Sequence, residues 1–165
     1  MKFILSMLMA SLFFIGCSND KPVQNVEAKL QVGKSLEGMQ LPDQHKKVQT
    51  LPQNTKVVFF SFSKPVGHMC NEFLANHPAD YLPKHNAVYV ADVSPAPSLI
   101  KKMFILPDLE KLPFPILLID DDTVSAAYTK GMDKEHIVVV ILKDQKIQAI
   151  KKAANAKELQ KFIEQ

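Results

Sequence analysis

The sequence predicts an α/β fold, a central mixed sheet flanked by helices and ending in a β-hairpin and a C-terminal helix. Three observations carry this. Strand and helix signals alternate along most of the chain. Two runs rich in β-branched and aromatic residues, KVVFFSF at 56–62 and IVVVIL at 137–142, read as buried strands. The second run turns through Lys143-Asp144-Gln145 into another strand signal, and a helix signal follows it.

The elements follow in order. A short strand is expected at 47–51, after the turn-like Pro42-Asp43-Gln44-His45-Lys46. The central strand at 56–62 leads to a helix at 67–76, with Cys70, Phe73, Leu74 and His77 on one face. A strand at 87–93 precedes a helix at 97–103, begun by Pro97, where a missing N–H is harmless. Residues 116–119 read as a strand and 123–129 as a short helix ended by Gly131. Strands at 137–142 and 146–150 form the final hairpin, and 156–163 the last helix.

The N-terminus reads as a targeting segment rather than as part of this fold. Lys2 precedes an uncharged run from Phe3 to Ile15, too short to span a bilayer comfortably but suited to an export signal. Phe14-Ile15-Gly16-Cys17 resembles a lipobox. That predicts cleavage after residue 16, acylation of Cys17, and attachment to a membrane through the lipid; a plain secretory signal is the alternative. Ser18 after the cysteine leans towards the outer membrane of a bacterial envelope, with the domain facing the periplasm. Residues 1–16 are then signal, 17–28 a polar tether and 29–165 one domain. Were Cys17 acylated, Cys70 would be the one thiol remaining, and no internal disulfide could form.

Composition narrows the function. The formal charge is +3, and all 20 basic residues are lysines spread along the chain. No basic stripe with interleaved aromatics supports nucleic-acid binding, and no glycine-rich loop supports a nucleotide. Arg, the usual bidentate anchor for phosphate and carboxylate, is absent.

Several segments resemble the peroxiredoxin/TlpA superfamily of thioredoxin-like domains. Val32-Gly33-Lys34, then Leu41-Pro42-Asp43-Gln44-His45, then KVVFFSFS, is similar to its entry. Phe114-Pro115-Ile116-Leu117-Leu118-Ile119-Asp120 is similar to its Phe-Pro-x-Leu-x-Asp strand, Tyr128-Thr129-Lys130-Gly131 to the Tyr-Gly ending of the following helix, and VVVILKDQKIQAI to its final hairpin. The final half also resembles YtfJ-type periplasmic proteins. The resemblance covers about residues 30–163 and implies a thioredoxin-like fold.

It also implies where chemistry belongs. In thioredoxins the central strand runs into Cys-x-x-Cys at a helix start, which lowers a thiol pKa. Here FSFS continues into Lys64-Pro65-Val66-Gly67, and Ile137 stands where the fold's cis-proline is expected. With no resolving thiol, dithiol exchange is not expected. A binding or accessory module taking a protein or peptide partner, with no catalysis, is the first expectation. The alternative is a one-cysteine thiol peroxidase using Cys70, which lies one residue beyond the position aligned with the peroxidatic thiol; Cys70 as a plain core residue is the competing reading. A second alternative comes from Phe60-Ser61-Phe62-Ser63-Lys64, which resembles the strand end of Sco-type copper chaperones. Pro65 and Met69 occupy the cysteine positions of that family, and His136 stands about where its distant histidine is found. That resemblance makes His68, Met69, Cys70 and His136 candidate Cu(I) ligands. His45, His77 and His85 read as surface residues. Asp120-Asp121-Asp122 reads as a helix cap more than a calcium site. Met103-Phe104-Ile105-Leu106 is either an exposed apolar lip or core.

Overall fold

The structure is a computed structural model, and it describes residues 26–165. The expected signal, Cys17 and most of the tether lie outside the described residues. Packing begins at Ala28, which is buried, and at Lys29, whose N–H donates to the Ala127 carbonyl at 2.8 Å.

Two short strands, β1 (Gln40–Pro42) and β2 (Val48–Thr50), form an antiparallel hairpin at one side. The main sheet holds β3 (Val57–Ser61), β4 (Ala87–Asp92), β5 (Leu117–Ile119), β6 (Ile137–Lys143) and β7 (Lys146–Ala153) in the order β5-β4-β3-β6-β7. β3, β4 and β5 run parallel, while β6 is antiparallel to β3 and to β7. The mixed sheet, the final hairpin and the closing helix are the expected ones.

Alternation along β3 divides the core in two. Val57 and Phe59 face the long helix α1 (Lys64–Ala75) and the C-terminal helix α6 (Ala156–Ile163), packing with Cys70, Leu74, Tyr89, Leu159 and Ile163. Val58 and Phe60 face the other way, onto Leu30, Leu36, Val138, Val140 and Tyr128 of helix α5 (Asp122–Thr129). All five residues of β3 are buried, as a strand sandwiched between layers requires. Phe59 and Phe60 have no exposure, and burying each contributes about 1.5–3 kcal/mol.

Several elements differ from expectation: β1 is an added strand, and β7 runs to Ala153, three residues further than expected. Helix α1 starts at Lys64, three residues early, because Pro65 in its first turn has its φ preset and lacks an N–H the helix would leave unpaired. A short helix α2 (Tyr81–Lys84), with Pro83 inside it, stands between the helix and strand expected at 67–76 and 87–93, where no element was expected. The helix expected at 97–103 instead runs on through Pro107: α3 (Ser98–Ile100), a π-helical turn (Lys101–Ile105), then α4 (Leu106–Glu110). Within it the Leu106 N–H donates to the Lys101 carbonyl, five residues back. Pro107 therefore opens the first turn of α4 instead of terminating the helix.

Candidate functional site

The parallel strands deliver their C-terminal ends to one edge of the sheet, the usual place for ligands in open α/β sheets. β3 ends at Ser61 and passes through Phe62 and Ser63 into α1. The register Phe60↔Val138, carried on by two residues, sets the loop before β6 beside this junction. The resemblance placed chemistry here, and the structure brings the two loops together as that resemblance implied.

The junction holds two hydroxyls, Ser61 and Ser63, just before Lys64-Pro65-Val66-Gly67, where the thiols of a dithiol enzyme are expected. Ser61 is buried and its Oγ lies 2.8 Å from the hydroxyl of Tyr89 on β4. The ring of Tyr89 stacks on Phe59, with centroids 4.9 Å apart. Ser63 caps α1 by position only, since its Oγ is buried with no hydrogen-bond partner among the described residues. The first turn of α1 carries no acidic residue, and Lys64 points its charge outward from an exposed position.

Cys70 lies almost two turns inside α1, not at its start. It has no exposure and packs among Val66, Phe73 and Leu74. Burial pushes its thiol up to about 12, and a hydrogen bond with Tyr89 offsets only part of that. A thiol in such surroundings is not a nucleophile at neutral pH. The one-residue offset from the peroxidatic position has turned the side chain into the core, as the competing reading had it.

The four candidate copper ligands are close in sequence or register but do not converge. Cys70 points inward. Met69 is half-buried and packs against the core. His68 is exposed and pairs with Glu72 at 3.2 Å, one turn along the same helix. His136 Nδ1 lies 3.0 Å from Asp133 Oδ2, which also accepts from Lys152 Nζ at 2.7 Å. The Lys152 hydrogen bond, with those from the Glu135 N–H and His136, holds the Asp133 carboxyl far below the usual range. Among the described residues no three His, Cys, Asp or Glu side chains gather as a metal site. Placement therefore gives the Cu(I) expectation no support.

Other expectations resolve locally. Asp121 Oδ1 accepts the N–H groups of Thr123 and Val124, each at 2.9 Å, so the acidic triplet is a helix cap. Asp120 pairs with Lys101. His45 is exposed, as expected. His77 and His85 correct the surface reading: both are half-buried, their rings packed on either side of Tyr81 at 4.1 and 4.9 Å. The Tyr81 hydroxyl reaches Glu164 at 3.1 Å, so this stack ties α1 and α2 to the C-terminus. Of the apolar tetrad, Met103 and Phe104 are exposed, whereas Ile105 and Leu106 pack against the core.

Two buried side chains escaped the sequence reading of function and structure alike. Gln44 donates from Nε2 to the Phe114 carbonyl at 2.9 Å and accepts the Ile116 N–H on Oε1 at 2.8 Å. Gln145 donates to the carbonyls of Pro52 and Gln53 at 2.8 and 3.0 Å. Each pins a turn to a distant loop. The only available signal is an amide in a turn otherwise filled with charged residues.

No protein-family model and no curated protein matches the chain. Solved structures do. Peroxidoxin BcpB from Mycobacterium tuberculosis is similar with a TM-score of 0.52 at 15% identity, over 81% of this chain and 94% of that one. A thiol:disulfide interchange protein from Bacteroides sp. is similar with a TM-score of 0.52 at 13% identity, over 83% of this chain and 93% of that one. Together with the strand order, these likenesses give the chain a thioredoxin-like fold.

Proposed function

We propose that this domain is a lipid-anchored binding or accessory module of the bacterial cell envelope, working without thiol exchange and engaging an extended protein or peptide segment. The observation that carries the reading is the β3–α1 junction. Its strand end and helix start hold Ser61, Ser63 and Lys64, while Cys70 is sealed in the core. The framework around a redox centre is kept and the reactive groups are not. The loop before β6 lies beside that junction and offers backbone to an extended chain, a mode of recognition that needs no thiol. The domain is attached to the membrane through Cys17 in this reading, and among the described residues no helix is long and apolar enough to cross one.

Turnover measurements with insulin and a glutathione mixed disulfide test the exchange-free part. The purified protein is expected to leave both unreduced. Turnover that disappears in Cys70→Ser overturns the proposal in favour of thiol chemistry. Titration with a permanently unfolded, thiol-blocked polypeptide is expected to show binding, and its absence removes the peptide-binding reading. Acyl labelling and membrane recovery are expected to depend on Cys17; a Cys17→Ala protein that still partitions with membranes places the anchor elsewhere.

A further inference from the structure

The segment leaving the C-terminal end of β4 carries an apolar face that nothing among the described residues covers. Leu99, Met103 and Phe104 are 66%, 58% and 57% exposed, and Ile100 is exposed beside them. The spacing of these four places them on one side of the α3–π–α4 helix. Residues on its other side, Ile105, Leu106 and Leu109, pack into the core. Lys101 and Lys102 flank the apolar face, and Lys101 pairs with Asp120. Lys101, with its side chain 14% exposed, is taken up by that pairing, so exposed Lys102 is the lysine at the border. An apolar stripe with a lysine at its edge suits a helix that lies in a membrane interface.

The path of the chain says which surface is within reach. Asp120 adjoins Asp121, the cap of α5. That helix of eight residues spans about 12 Å. Beyond its end, Lys130 donates to the Val26 carbonyl at 2.8 Å, so the described chain enters the domain there. The tether from Cys17 to Val26 can extend at most about 30 Å. A domain acylated at Cys17 is thus held within about its own diameter of the bilayer, with the apolar face roughly one short helix away from the point of attachment.

We propose that this face, Leu99, Ile100, Met103 and Phe104, docks on the surface of the bilayer that holds the lipid anchor. The proposal rests on acylation of Cys17. Docking sinks the four side chains to the headgroup–acyl boundary and sets Lys102 among anionic headgroups. It fixes the orientation of the domain, so the β3–α1 junction beside the same sheet end faces along the membrane and not freely outward.

The test uses the full acylated protein in vesicles of phosphatidylethanolamine and phosphatidylglycerol. Because Cys70 is sealed and Cys17 acylated, Met103→Cys adds a single reactive thiol for a nitroxide label. Gln148→Cys, an exposed position on β7, is the reference. The Met103 label is expected to favour collisions with oxygen dissolved in lipid over an aqueous nickel chelate, and the Gln148 label the reverse. Adding Leu99→Glu and Phe104→Glu is expected to return the Met103 label to the aqueous pattern while the anchored protein stays with the vesicles. An aqueous Met103 label on anchored protein overturns the proposal and leaves the anchor standing. A label shielded in detergent as well, in proportion to protein concentration, assigns the face to a second copy and overturns it too. A chain that is not acylated fails separately, by its absence from the vesicles; if its Met103 label is also aqueous when vesicles are added, both readings fall.

Discussion

Replacing Gln44 with leucine tests how much of the fold depends on one buried amide. Gln44 is 2% exposed and bridges the β1–β2 turn to the segment entering β5. Leucine keeps much of the volume and removes both hydrogen-bonding ends. The Ile116 N–H and Phe114 carbonyl then lose their partners in a place water does not reach. The Leu109 carbonyl is not stranded, since its contact with Gln44 is long at 3.5 Å and it also accepts from the Leu112 N–H at 3.1 Å. Two orphaned backbone groups cost about 1–3 kcal/mol each. The greater apolarity of leucine returns under ~1 kcal/mol, so a net loss of about 1–5 kcal/mol, centred on ~3, is expected. Against a total stability of ~5–15 kcal/mol that is a large fraction. Interpolating for a domain of this size, Tm falls by about 10 °C. Urea unfolding followed by circular dichroism measures the change, and the m-value should not move. His45→Ala, at the exposed neighbour, is expected to stay within ~0.5 kcal/mol. A Gln44→Leu loss below ~1 kcal/mol, or one equal to that of His45→Ala, would refute the reasoning.

Three further outcomes follow from the same structure. Cys70 is expected to resist alkylation and oxidation by peroxide at pH 8 in the native protein and to react fully in denaturant, because burial raises its thiol to about 12; rapid native labelling with dithionitrobenzoate contradicts this. Tyr89→Phe strands the buried Ser61 hydroxyl and is expected to cost about 1–2 kcal/mol in chemical denaturation, while the ring stack on Phe59 persists. Burial pushes the Asp43 carboxyl up, but hydrogen bonds from the Gln49 side chain and the Lys47 and His45 N–H groups outweigh it, and the net shift is downward. The sign follows: Asp43 contributes stability above its unfolded value near ~3.9 and loses it as pH falls through the lowered one. Asp43→Asn should therefore flatten the acid limb of a stability–pH curve, and an unchanged limb rules this out.

Local pattern and tertiary packing divided the information unevenly at the functional end of the molecule. The absence of a Cys-x-x-Cys where FSFS runs into Lys64-Pro65-Val66-Gly67 is plain from the residues, and so is the neighbourhood of the β6 loop, because strand order in this fold is constrained. The direction of Cys70 is not. A helix starting at Lys64 instead of Gly67 leaves the same residue in the same helix, but only packing of α1 on β3 and β4 tells whether Cys70 meets solvent, His136 or Tyr89. The apolar tetrad behaved likewise. Its residues are all apolar, yet Ile105 and Leu106 pack inward and Met103 and Phe104 outward, where a π turn and Pro107 set the helix phase.

The sequence by itself determined the strands and helices whose periodicity repeats over several residues: the buried runs of β3 and β6, the turn at Asp144-Gln145, the acidic cap of α5 and the helix stop at Gly131. These depend on contacts between near neighbours, where residue type constrains backbone geometry directly. Only the tertiary structure decided that Gln44 and Gln145 are buried clamps, that the rings of His77 and His85 pack on Tyr81, and that Cys70 is sealed in the core while His68 meets Glu72 and His136 meets Asp133. Those outcomes depend on which surfaces meet across separations of tens of residues, and a side chain's partner at such a distance is chosen by the packing of whole elements, not by its neighbours in the chain.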